Sequence, residues 1–456
     1  MKYYIKTLGC QMNYSDSERV AKILEQSGFT KTENSKNVDL FIINTCSVKQ
    51  KAENKAIGKI KKYKKDNPNS VIAVTGCMIR QTGDRATSKD QLLKHDFIDI
   101  VFRIEDTAKL PKILESHFID HDFSDFRNKF GNGSIENYFH IVPKVDNIFQ
   151  VFVPIMQGCD KFCSYCIVPF TRGREISRPI EEVFVECDQL VENGAKEITL
   201  LGQNVNSYTD GGTSSEEKCF SKLLEKIDTL HEKGLSRLRF SSPHPQDFTD
   251  DVIETLVKMK TSCPHIHLPV QHGADSMLKK MNRNYTTEKY EGIIRKIRKA
   301  IPNCLITTDI IVGFPSESEE EFQVLCDFAE KMKFSFAFTS IYSHRKNTPA
   351  EKMTDEFIED VVKKERFHIF DDIVKKHAFV QREEFVGKKL EVLVEKSSPS
   401  KDGLFAHTGR SREALEVWFE SGRPLKGKEI DVKITKAQNY VLSGVLPDGT
   451  KKIPII

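Results

Sequence analysis

Six short apolar runs, at 149–154, 197–201, 236–241, 265–270, 305–312 and 334–341, alternate with helix-like stretches through the middle of the chain. This pattern constrains the fold more than any other. Strands joined by helical crossovers pair in parallel, and repeated β-α units close into a partial or complete barrel. The reactive groups of such a barrel belong on the loops that follow the strands.

The segment before it, 1–135, shows the same grammar on a smaller scale. A strand-like run at 3–8 leads into a helical stretch at 15–27, with Val20, Ile23 and Leu24 on one face and Gly28 as its stop. Buried-strand runs at 40–43 and 71–74 flank a basic helix at 49–65. A small α/β domain with a parallel sheet is expected. The polar stretch 124–137, with Gly131 and Gly133, reads as a linker. Beyond about residue 380 come five β-like runs separated by Gly, Pro or polar turns, which predict a small all-β barrel. The resulting organisation is α/β, with an auxiliary domain at 1–135, a central (βα)6-type partial barrel at 144–375 and a β-barrel at 380–446. The Gly- and Ser-rich stretch 208–218 reads as an exposed loop insertion.

With 456 residues, 39% hydrophobic and 30% charged, the composition is that of a globular chain of several domains. No apolar run is long enough for a transmembrane helix, and the first residues lack a secretory pattern. A cytoplasmic protein with no membrane partner is expected. Net charge is only +3, yet 49–66 holds eight lysines against two acidic residues, and 277–300 holds eight Lys or Arg against two Glu. Either stretch suits a phosphate backbone or is an ordinary solvated helix face.

The eleven cysteines do not look like a disulfide framework in a chain without a secretory pattern. Cys159, Cys163 and Cys166 form a C-x₃-C-x₂-C loop just after the first barrel strand. Three thiolates so close suit three irons of a [4Fe–4S] cluster, with the fourth iron open to an amino acid-like ligand. Structural zinc and a set of reactive or buried thiols remain alternatives. Cys10, Cys46 and Cys77 each lie just past a predicted parallel strand, so they converge on one sheet edge. Gly9 and Gly76 precede two of them, where a missing side chain permits close approach. The competing reading is three core thiols. Cys187, Cys219, Cys263, Cys304 and Cys326 read as packed or surface thiols.

At these residues the chain resembles the radical S-adenosylmethionine methylthiotransferases, over nearly its whole length. The loop from Cys159 to Cys166, continued by Ile167-Val168-Pro169-Phe170-Thr171-Arg172-Gly173-Arg174-Glu175, is similar to the family's signature. Thr7-Leu8-Gly9-Cys10-Gln11-Met12-Asn13, Asn44-Thr45-Cys46 and Thr75-Gly76-Cys77 resemble its N-terminal cluster domain, and the tail resembles its TRAM-like RNA-binding barrel. Gly9-Cys10-Gln11-Met12-Asn13, Ser242-Pro243-His244-Pro245 and His267-Leu268-Pro269-Val270-Gln271-His272-Gly273 resemble the branch that acts on N6-isopentenyladenosine beside the tRNA anticodon. Other branches act on N6-threonylcarbamoyladenosine or on a ribosomal protein. An iron–sulfur RNA-binding or sensor protein without catalysis is the alternative from another class.

The resemblance implies two [4Fe–4S] clusters and S-adenosylmethionine as cofactors. Cys159, Cys163 and Cys166 would hold the radical-generating cluster, and Cys10, Cys46 and Cys77 the auxiliary cluster that handles sulfur. Gly202, Gln203 and Asn204 would lie near S-adenosylmethionine. Arg172, Arg174 and Arg178 would either hold tRNA phosphate or a carboxylate, or brace the cluster loop through salt bridges. Phe162 and Tyr165, flanking the thiolates, would exclude water or pack on the cofactor. The implied partners are tRNA, an electron donor such as flavodoxin or ferredoxin, and a sulfur source. Ser316 departs from the family, which often has glycine after the proline at this turn.

Overall fold

The structure, a computed structural model, describes residues 1–46, 50–79, 92–123, 135–145, 147–213 and 216–447. Most of the expected linker, 124–134, lies outside them. The chain forms two compact units. The first comprises Met1–Leu235, Phe240–Ser242 and Ser343–Lys352, and the second Ser236–Arg239, Pro243–Tyr342 and Met353–Ile456.

The first unit opens with a parallel sheet of β1 (Lys2–Thr7), β2 (Thr30–Lys31), β3 (Leu40–Thr45), β4 (Val71–Gly76) and β5 (Ile100–Val101), in the order β2-β1-β3-β4-β5. The two-residue edge strands β2 and β5 were too short to show in the sequence. Side chains alternate across a strand, so the unbroken run Leu40–Thr45 feeds two cores. Leu40 and Ile42 pack with Val20, Ile23 and Leu24 of α1 (Gln11–Gln26). Phe41 and Ile43 pack with Ala56 and Ile60 of α2 (Gln50–Asp66). Helix α1 starts four residues before the expected boundary, with Cys10 as its N-cap residue. Its first turns carry polar side chains that are nonetheless buried: Asn13, Ser15, Asp16 and Arg19. The hydrophobic period alone gave no reason to include them.

After this sheet come β6 (Gln150–Pro154), a short antiparallel pair of β7 (Met156–Gln157) and β8 (Ile176–Ser177), α3 (Ile180–Glu192) and β9 (Glu197–Leu201), which pairs in parallel with β6. The barrel pattern continues with β10 (Arg237–Phe240), β11 (His265–His267), β12 (Leu305–Val312) and β13 (Phe336–Ile341). In the second unit β11, β12 and β13 form a parallel sheet. Strand β11 is shorter than the expected 265–270, because the chain after His267 turns into the segment that carries Gln271 and His272.

A 24-residue helix, Asp360–Glu383, leads into β14 (Lys389–Pro399), β15 (Phe405–Ser411), β16 (Glu416–Ser421), β17 (Glu429–Ala437) and β18 (Val441–Val445). These close in the order β14-β15-β16-β18-β17. Closure removes the sheet edges that an open five-stranded ribbon would expose. Val392, Val394, Val417, Phe419, Val432 and Leu442 fill the barrel. Arg237, fully buried, fixes the barrel to β10 by donating to the carbonyls of Arg410 at 2.7 Å and Glu391 at 3.1 Å.

The turn after β12 shows the price of the family departure noted above. Ser316 has φ of 62°, and its hydroxyl oxygen is buried with no hydrogen-bond partner. A left-handed serine costs about 1–2 kcal/mol relative to glycine, partly offset by glycine's greater freedom in the unfolded chain. Ser316→Gly is expected to stabilise the protein by about 1 kcal/mol, read as a rise in the urea midpoint. An unchanged or lower midpoint would refute the strain at this turn.

Candidate active site

The strand register levels the ends of the N-terminal sheet. Thr7 lies opposite Asn44, and Thr45 opposite Gly76. Cys46 and Cys77 therefore follow directly paired residues, and Cys77 N–H donates to the Thr45 carbonyl at 2.8 Å. Cys10 joins them through two asparagines. The Asn13 side-chain oxygen accepts from Cys10 N–H at 3.3 Å, while its amide nitrogen donates to Asn44 Oδ1 at 2.9 Å and to the Thr45 carbonyl at 3.2 Å. Asn44 Nδ2 returns a bond to the Asn13 carbonyl at 2.8 Å. Gly9 has φ of 132°, and a Cβ there would fall 2.7 Å from Cys46 Cβ. The loops are thus packed against each other, with Cys10 an exposed residue and Cys46 and Cys77 half-buried ones.

The second cysteine loop is braced at both ends. Gly158 N–H donates to Gln203 Oε1 at 2.6 Å, and Cys159 N–H to the Gly173 carbonyl at 3.1 Å. Cys166 N–H donates to the Cys163 carbonyl at 2.9 Å. Glu175, buried, gathers the surroundings. Its carboxylate accepts from Asp160 N–H at 3.2 Å, Asn204 Nδ2 at 3.3 Å and Ser207 Oγ at 2.8 Å. Burial raises its pKa, against the hydrogen bonds that hold it down. Burial also pushes the Cys159 thiol well up, so binding iron there displaces a proton. Gln203 and Asn204 thus brace the loop from the end of β9. At Gly202 a Cβ would meet Met156 Cγ at 2.6 Å. Phe162 and Tyr165 are half-buried, and Phe162 adopts φ of 47°.

The three arginines divide. Arg172 and Arg178 are buried and bonded internally, the loop-bracing arrangement rather than one that offers them to RNA phosphate. Arg172 Nη2 pairs with Asp16 Oδ2 at 2.6 Å, and its Nε donates to Cys77 Sγ at 3.2 Å. Arg178 Nη1 pairs with Glu186 Oε2 at 2.7 Å, and Glu186 Oε1 takes Arg19 Nη2 at 2.8 Å. The two guanidiniums hold the Glu186 pKa below the usual carboxylate range despite the opposing effect of burial. Arg174 alone is exposed, with 71% of its side chain open, a 2.5 Å pair to Asp160 and its guanidinium 5.1 Å from the Phe162 ring centre. The expected exposed insertion also begins inside. Tyr208 is fully buried and its hydroxyl donates to the Arg178 carbonyl at 2.5 Å. Residues 210, 211 and 213 are exposed as expected, and 214–215 lie outside the described residues.

Among the described residues no three His, Cys, Asp or Glu side chains crowd around a point for a single metal ion. A four-iron cluster does not need that arrangement, since each thiolate takes its own iron. Its fit rests on the soft donor set, on loops that glycines let approach, and on a buried donor without a partner, Arg172 Nη1.

Three family models match the chain: the uncharacterized protein family UPF0004 over residues 2–99, the Radical SAM superfamily over 153–329 and the TRAM domain over 383–446. The chain is 42% identical over 447 residues to the tRNA-2-methylthio-N(6)-dimethylallyladenosine synthase of Clostridium perfringens (strain 13 / Type A), covering 97% of both chains. The synthase of the same name from Clostridium botulinum (strain Okra / Type B1) is also 42% identical, over 97% of this chain and 96% of the relative. The chain belongs to the radical S-adenosylmethionine tRNA methylthiotransferase family. In fold it is similar to the radical S-adenosylmethionine methyltransferase TsrM from Kitasatospora setae, with a TM-score of 0.51 at 14% identity, covering 88% of this chain and 79% of that one.

Sequence reasoning singled out the cysteines of this family member but not their supports. Asn13, Asn44 and Glu175 stand within the motifs named above but carry no role there. Asp16, Arg19 and Glu186 were missed. The available signal was a cluster of polar residues on the side of α1 that also bears Val20 and Ile23, where solvent-facing positions were not expected. Cys187, Cys219, Cys263, Cys304 and Cys326 are all buried.

Gly158 offers a direct test of the loop. Its φ is 85°, and a Cβ there would sit 1.9 Å from the Arg174 carbonyl oxygen. Backbone against backbone cannot yield cheaply, so Gly158→Ala is expected to displace the Cys159 loop and lose the iron bound there, measured anaerobically as iron per folded chain. Retention of the full wild-type iron content would contradict this account.

Proposed function

We propose that the chain methylthiolates C2 of N6-isopentenyladenosine beside the tRNA anticodon, using two molecules of S-adenosylmethionine. The full-length likeness to synthases named for this product carries the reading, and two sets of three cysteines within one compact unit support it. We assign Cys159, Cys163 and Cys166 to the radical-generating [4Fe–4S] cluster, and Cys10, Cys46 and Cys77 to the auxiliary one. When bound, these clusters supply one-electron reduction of S-adenosylmethionine and the sulfur to be inserted.

The chain's own residues do the placing. Gln203, at the end of β9, holds the start of the Cys159 loop, and Asn204 shares Glu175 with it. This puts the expected S-adenosylmethionine neighbourhood, Gly202 to Asn204, against the radical loop. Phe162 and Tyr165 limit water around it. Transfer RNA affinity comes from the closed C-terminal barrel and from exposed lysines. On α2, Lys55, Lys59 and Lys62 share one face and are all exposed, as a phosphate-tracking surface requires. Gly58, in the same stripe, has nothing within 4 Å of where its Cβ would be. The electron donor is of flavodoxin or ferredoxin type, a separate sulfur source restores the auxiliary cluster, and the reaction takes place in the cytoplasm. Among the described residues no helix is long and apolar enough to cross a membrane.

Nucleoside mass spectrometry of tRNA from cells with and without the gene tests the substrate. Loss of 2-methylthio-N6-isopentenyladenosine with accumulation of its precursor is expected. Loss of the methylthiolated threonylcarbamoyl nucleoside instead would overturn the substrate. Cys163→Ala is expected to abolish 5′-deoxyadenosine formation, and Cys46→Ala to leave part of it while inserting no sulfur. Wild-type methylthiolation in either variant would contradict the division of labour.

A further inference from the structure

Arg172 belongs by sequence to the radical loop and by contact to the auxiliary one. The short helix Val168–Thr171 carries the chain from Cys166 to it. Its guanidinium then donates to Cys77 Sγ at 3.2 Å and to Asp16 Oδ2 at 2.6 Å, while Nη1 is buried with no partner. Beside it lies a small cavity lined in part by Gly76, Cys77, Gln157 and Thr171. Buried donors in folded proteins are rarely left unpaired, and this one stands out because a cavity and a cysteine sulfur adjoin it. The acceptor this neighbourhood calls for is sulfur carrying negative charge. Cys77 Sγ already accepts from Nε, and Nη1 remains for a second sulfur.

We propose that Arg172 is a positioning residue of the auxiliary centre, donating hydrogen bonds to the Cys77 thiolate and to cluster sulfur, and thereby raising the centre's reduction potential and fixing its place relative to the radical loop. This rests on the reading of Cys10, Cys46 and Cys77 as its ligands. Donors to cluster sulfurs stabilise the more negative, reduced form, and arginine does so without any proton to lose. Asp16 orients the guanidinium and leaves Nε and Nη1 for the centre. Lysine keeps the charge but donates from a single nitrogen, so it cannot reproduce the separate, coplanar donors that arginine aims at Asp16, Cys77 and the remaining acceptor.

The test uses full-length protein in which Cys159, Cys163 and Cys166 are alanine, so that the auxiliary centre is observed by itself. Its midpoint potential is measured by a redox titration followed by electron paramagnetic resonance. Arg172→Gln, combined with Asp16→Asn so that no carboxylate is left unpaired, is expected to shift the midpoint to a more negative value. Arg172→Lys is expected to lie between that variant and the parent. In the chain with all its cysteines, the ratio of 5′-deoxyadenosine to methylthiolated nucleoside is expected to rise about tenfold in the Arg172→Lys variant, as for loss of other outer-shell partners. A midpoint and a ratio both equal to those of the parent would overturn the role of Arg172. If adding Cys77→Ala to the alanine background leaves the iron content unchanged, it is the assignment of the ligands that fails instead.

Discussion

Buried charge governs the first compact unit. In one network there, three buried guanidiniums, those of Arg19, Arg172 and Arg178, meet two buried carboxylates, Asp16 and Glu186. Tyr138 adds a hydrogen bond to Asp16 at 2.6 Å, and its phenol is held neutral because burial pushes its pKa well up. Arg172 is matched by Asp16, whereas Arg19 and Arg178 share the one carboxylate of Glu186, so the positive charge in excess within this network lies at Glu186. Breaking one partner of such a network strands a charge and costs about 3–5 kcal/mol.

The same residues explain why the sheet domain and the first barrel strands form one unit. Arg19 on α1 reaches Glu186 on α3, and Arg172 after the radical loop reaches Asp16 on α1. Each pair is buried and spans more than 150 positions of sequence. The radical loop is built on the end of β6 and the auxiliary loops on the ends of β1, β3 and β4. The chemistry proposed for the chain needs a radical and a sulfur donor at one substrate carbon. Two separately tethered domains would face a large loss of freedom to bring them together. A shared buried network removes that cost in advance.

Apolar periodicity made the scaffold legible. Runs such as Leu40–Thr45, Glu197–Leu201 and Leu305–Val312 report strands because burial on both faces leaves few polar positions. Cysteine spacing exposed the radical loop, since three cysteines fall within eight residues. The auxiliary set was legible only through topology: its members are distant in sequence, and parallel strands bring them to one edge. What stayed hidden depends on partners far along the chain. Arg172 and Glu186 look like ordinary charged residues until Asp16 and Arg19 are placed beside them, and no local rule predicts that a helix will bury its polar first turns. The edge strands of two residues were hidden for a simpler reason, being shorter than any periodicity.

The central claim is that this one chain holds two distinct four-iron centres, each bound by three thiolates and each retaining an iron the protein does not ligate. Mössbauer spectroscopy of anaerobically reconstituted, ⁵⁷Fe-loaded protein tests it most directly. The account predicts two [4Fe–4S] centres per chain, of which the one at Cys159, Cys163 and Cys166 changes its spectrum at a single iron when S-adenosylmethionine is added. A spectrum with only one centre in fully loaded protein would contradict it.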